Sequence, residues 1–84
     1  MDDDDERQVS HNHLLRMLSI ALIEIRAAQD LRIAKALADI FHNVPVRIAH
    51  GVGANEIFAD ARMCAQRNGQ EKYLDGLLDH VSKP

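Results

Sequence analysis

The chain is short of the residues that usually build a small stable core or a reactive centre. It has no Trp, one Tyr and two Phe, so its interior must be made from aliphatic side chains and alanine. It has one cysteine, Cys64, which excludes an intrachain disulfide and a thiolate zinc cluster within one chain. It has only two prolines and four glycines, too few for a low-complexity or collagen-like chain. No charged-then-apolar leader with a small-residue cleavage site is present. No uncharged apolar run is long enough to span a bilayer, because the longest apolar stretch carries Arg16, Glu24, Arg26, Asp30 and Arg32 inside it. A cytoplasmic protein with no membrane partner is the expectation.

The formal charge of −3 is unevenly placed. Of thirteen acidic residues, five occupy Asp2–Glu6, while all ten basic residues lie beyond that run. Residues 1–9 therefore read as an acidic, disordered tail, and residues 10–84 as one all-α domain.

The chain is organised by Leu14–Phe41, which contains no Gly and no Pro and is rich in Ala, Leu and Ile. Adjacent apolar pairs at Leu14-Leu15, Leu22-Ile23 and Ala27-Ala28 rule out strand alternation. Ser10 or Asn12 can cap the start, and Asn43-Val44-Pro45 stops the end. One long central helix of about 30 residues, roughly 45 Å, is expected. Its apolar arc moves, however. Leu14, Leu18, Ala21, Leu22, Ile25 and Ala28 share one arc in the first half. In the second half Ile33, Ala34, Leu37, Ile40 and Phe41 form the arc, rotated by over ~100°. A kink near Arg26–Leu31 would realign the two, but no Gly or Pro stands there to cause it. A straight helix serving different partners at its two ends is the expected solution. The first half is also apolar at Ile20, Ile23 and Ala27, and such a helix requires burial on more than one side.

Three shorter elements follow. Val44–His50 reads as a short helix with Pro45 in its first turn, or else as an extended connector. Asn55 is expected to cap a helix over about Glu56–Arg67, with Ile57, Phe58, Ala61, Cys64 and Ala65 inward and Asn68-Gly69 as its stop. A last helix over about Gln70–Ser82 buries Tyr73, Leu74, Leu77, Leu78 and Val81, with Gly76 inside it as a mark of close helix approach. Two helices of about 18 Å cannot cover one of about 45 Å. The uncovered apolar surface is therefore assigned to a second copy, giving a helical-bundle homodimer with Leu14, Leu18, Leu22 and Ile25 at its interface.

No motif with chemistry stands out from its structural background. Asp39-x-x-His42 places a carboxylate and an imidazole on one helical face. Helical-bundle metal sites use that spacing, though they need two copies and two further carboxylates, so a metal site would require the same pair from a second subunit. His11-Asn12-His13 cannot chelate one metal from a regular helix. His50-Gly51-Val52-Gly53 lacks the full phosphate-loop pattern, and Glu56 follows where phosphate would sit. The last helix offers Glu71, Asp75 and Asp79 where a DNA-reading helix needs basic and amide side chains, which argues against nucleic-acid binding. Cys64 sits at an apolar helical position with no His near it in sequence. No resident cofactor or metal is expected. The polar stripe Arg32, Lys35, Asp39 and His42 is the candidate binding surface. The sequence thus describes a small interaction or regulatory protein that works through a helical face as a homodimer and binds a protein partner. A metal-binding bundle using Asp39 and His42 is the alternative.

Overall fold

A computed structural model describes residues 9–83, so the acidic run Asp2–Glu6 lies outside the described residues. The described residues contain helices and no strand. The helices are α1 (His11–Ala27), α2 (Leu31–Phe41), α3 (Val44–Ala49), α4 (Ala54–Arg67) and α5 (Glu71–Ser82). None of them is long and apolar enough to cross a membrane.

The expected long helix is two helices, and this is the main correction to the sequence reading. α1 stops at Ala27, Ala28 turns to an extended ψ of 127°, and Asp30 opens α2 as its N-cap with ψ 113°. The break needs neither Gly nor Pro. The Asp30 carboxylate accepts from the Arg32 backbone N–H at 2.9 Å and from its guanidinium at 3.3 Å. A side-chain acceptor at this place offers the chain a bonded alternative to continuing the helix. The rotated apolar arcs supply the driving force, because a straight helix would point its two halves at different places. Broken, both halves contribute to one core: Leu14, Met17 and Ala21 of α1 join Leu37, Ile40 and Phe41 of α2. α1 is then about 25 Å long.

The shorter elements form where local signals place them. Ser10 closes a reciprocal capping box, its Oγ accepting from His13 N–H at 3.1 Å while its own N–H donates to His13 Nδ1 at 3.2 Å. The ambiguous Val44 segment is helical, with Pro45 in its first turn and Val44 buried. Asn55 is not the cap of α4; Gly53 holds that position, and the Asn55 Oδ1 instead accepts from the Val9 N–H at 3.1 Å. Val9, expected in the tail, packs partly buried against the core. α4 ends with Gly69 at φ +72°, while Gln70 N–H donates back to Ala65 O at 2.7 Å.

Cross-links between helices set the topology. Val9 and His11, at the head of α1, bond Asn55 and Val52 beside the head of α4, so α1 and α4 run the same way. Arg16 of α1 donates to Val81 O near the end of α5 at 3.1 Å. Arg62 of α4 forks onto Asp75 at 3.1 Å and reaches Glu71 at 2.7 Å near the start of α5. α5 therefore runs against both. α2 leaves the end of α1 and returns towards its head, where α3 packs on it. Around the ring α1–α2–α4–α5 each helix packs on its neighbours. The result is an up-and-down four-helix bundle with α3 as a corner piece. The bundle that the sequence assigned to two chains is closed within one.

Two further positions depart from expectation. Gly76 is exposed, and a Cβ there would meet nothing within 4 Å, so it marks no close helix approach. Tyr73 packs against the core, yet its hydroxyl is buried without a hydrogen-bond partner among the described residues. Burial, and then the nearby Glu24 carboxylate, push its phenol above the ordinary range.

Candidate functional site: an apolar groove between α1 and α2

Closing the bundle leaves large apolar side chains outside it. Leu15, Leu22 and Ile23 of α1 are 44%, 49% and 66% exposed, and Leu31 at the start of α2 is 81% exposed. On α1 the reason is angular. The core claims the face of Leu14, Met17 and Ala21, whereas Leu15, Leu18, Leu22 and Ile25 lie along a neighbouring stripe spaced three and four residues apart. The antiparallel α1–α2 pair brings part of that stripe against the outer side of α2. Leu18, Leu22 and Ile25 form one wall of a groove of about 320 Å³, Ala38 and Phe41 the other, and His42 and Pro45 one end.

The expected interface residues are thereby divided. Leu14 is 1% exposed and belongs to the chain's own core. Leu18 and Ile25 are half-buried in the groove wall, and Leu22 stands half out of it. This regrouping depends on where α2 and α3 lie. The periodicity of α1 identified three of the groove residues, but Ala38, Phe41 and Pro45 carry no sequence signal that joins them to α1.

Arg32, Lys35, Asp39 and His42 are all exposed, as expected of a polar stripe. They do not act as one unit. Arg32 is held by Asp30 at the inter-helix break, and that bond, first through the guanidinium and then through the Arg32 N–H, draws the Asp30 carboxyl below its ordinary range. His42 lines the groove. Asp39 and His42 also line a second cavity of about 210 Å³ between α2, α3 and α4, with Arg47, Asp60, Cys64 and Arg67.

That second cavity mixes charged and apolar walls, Ile40, Val44, Ile57 and Ala61 among them. Arg47 pairs with Asp60 and approaches Glu56 at 3.7 Å. Cys64 and His42, distant in sequence, share its walls. The polar neighbour of the thiol is Asn68, whose Nδ2 lies 3.5 Å from Sγ and donates to the Cys64 carbonyl at 2.8 Å.

Among the described residues no three His, Cys, Asp or Glu side chains come close enough to hold an ion. His42 Nδ1 is 3.0 Å from the backbone carbonyl of Asp39, a helix-end contact that does not use the carboxylate. His11 and His13 are both engaged in the fold, His11 Nε2 on Val52 O at 2.8 Å and His13 in the capping box. Among the described residues no further His, Cys, Asp or Glu side chain joins Asp39 and His42 as a ligand group.

No family model, no curated protein and no solved structure matches this chain.

Proposed function

We propose that this protein is a small protein–protein interaction module whose working surface is the α1–α2 groove. One observation carries the reading. Leu22 stands 49% exposed in the wall of a groove whose lining is almost wholly apolar, on a bundle whose core is already complete without it. An apolar hollow of this size, flanked by further exposed Leu side chains, exceeds the scattered apolar exposure that needs no explanation. Two facing helices with a hollow between them suit a third helix laid along it, whose side chains enter at i, i+3 or i+4, and i+7. A second copy of the chain is one source of that helix, and the α1 stripe is the pattern that first suggested a homodimer.

The test is Leu22→Asp. The side chain is half in water, so the variant is expected to keep its helical circular dichroism and melt close to the wild type. It should lose both self-association in a sedimentation dilution series and binding of amphipathic helical peptides followed by fluorescence anisotropy. Wild-type protein that neither self-associates nor binds any such peptide would overturn the proposal.

A further inference from the structure

The groove has a charge as well as a shape, and its charge selects among occupants. Arg26 follows Ile25 directly and lies one turn beyond Leu22. Lys35 lies one turn before Ala38, and His42 one turn after it. All three are exposed, and among the described residues none is ion-paired with a carboxylate. No carboxylate lines the groove. Of the carboxylates adjacent in sequence to groove residues, Glu24 lies on the flank of α1 near Tyr73 of α5, and Asp39 lines the neighbouring cavity between α2, α3 and α4; Asp30 is held by Arg32. The apolar floor is therefore bordered by Arg26 on α1 and by Lys35 and His42 on α2, with no carboxylate in its lining.

We infer that the occupant of the groove is an amphipathic helix of another protein, with carboxylates flanking its apolar stripe. The inference rests on the groove being the working surface and adds the chemistry of what fills it. A second copy fits less well. Two-fold pairing through this face brings Arg26 and Lys35 of one chain to the same rim as Arg26 and Lys35 of the other, and such like-charge juxtaposition is costly. The chain's own run Asp2–Glu6 has the right charge but no apolar side chain to enter the floor. An acidic amphipathic helix satisfies both demands: apolar side chains for Leu18, Leu22, Ile25 and Phe41, and carboxylates for the rim.

The experiment uses the full chain and two fluorescein-labelled helical peptides of about 18 residues with the same leucine stripe at i, i+3 or i+4, and i+7. One is flanked by Glu and the other by Lys. The Glu peptide should bind at least about tenfold more tightly at low salt, with the advantage shrinking as salt rises. The double variant Arg26→Glu/Lys35→Glu, both at exposed positions, should reverse the preference, and Leu22→Asp should abolish binding of either peptide. Equal binding of both peptides would overturn the charge assignment while leaving the groove in place. A wild-type dimer that excludes both peptides and dissociates in Leu22→Asp would show that the groove is a self-interface. Binding only to phosphatidylserine vesicles, with neither peptide retained, would replace the helix by an anionic membrane. No binding of any kind and no effect of Leu22→Asp would overturn the groove reading itself.

Discussion

Leu14 and Leu22 lie two turns apart on α1, carry the same side chain, and should answer truncation very differently. Leu14 is 1% exposed at the centre of the core, whereas Leu22 is 49% exposed at its edge. Removing a fully buried leucine forfeits its transfer free energy and leaves a cavity, together about 2–5 kcal/mol. A chain of this length has a total stability of only roughly 4–13 kcal/mol, so Leu14→Ala removes a large share of it. At ~4–8 °C per kcal/mol for a domain of this size, the melting midpoint should fall by at least about 8 °C. For Leu22→Ala, half of the side chain is already in water and no closed cavity forms, so the loss should stay below about 1 kcal/mol. The assay is thermal and urea denaturation followed by circular dichroism, repeated over a hundredfold or so dilution, because only a dimer has a midpoint that depends on concentration. Equal losses at the two positions, together with a midpoint that falls on dilution, would refute the single-chain bundle. They would restore a two-chain core in which both leucines lie at one interface.

Two other consequences follow from the local geometry. Gly76→Ala should stabilise α5 by about 0.5–1 kcal/mol, since the position is exposed, helical and open to a Cβ; the urea midpoint should rise at unchanged slope, and a fall would place something against that surface. Asp30 has its carboxyl held below the ordinary value chiefly by the Arg32 side chain, so it contributes stability above the unfolded-state pKa of about 4 that is lost as pH falls through the lower folded value. The stability difference between wild type and Asp30→Asn, measured by urea denaturation from neutral to acid pH, should therefore shrink below about pH 4, and a difference that ignores pH would show that the Arg32 contact does not form.

Of the candidate site, the sequence showed one side only. The stripe Leu18, Leu22 and Ile25 was visible as unsatisfied helical periodicity. Its facing wall was not, because Ala38 and Phe41 join it only through the direction α2 takes after Asp30. Arg62, which ties α4 to Asp75 and Glu71, was missed for a similar reason. A salt bridge between antiparallel helices has no fixed spacing in sequence, since it depends on the register set by Asn68-Gly69.

The sequence by itself determined the helical class and the stop at Asn68-Gly69, narrowed the start to Ser10 or Asn12, and left Val44–His50 open between a proline-led helix and a connector. Each of these depends on energies settled within about four residues: a side chain bonded to a free N–H, a fixed proline φ, a glycine able to turn left-handed. Local energies also identified the inward faces of α4 and α5. Only the tertiary structure decided that residues 28–30 break the long helix. Ala28-Gln29-Asp30 is compatible locally with a helix or with a capped break, and its own residues do not choose between them. The choice falls to long-range burial. In a straight helix Leu14 and Leu37 face different directions, and a second chain must cover what one core cannot. With the break, both enter the same bundle with Ile57 and Leu74, and the α1–α2 groove is the apolar hollow left between the two halves.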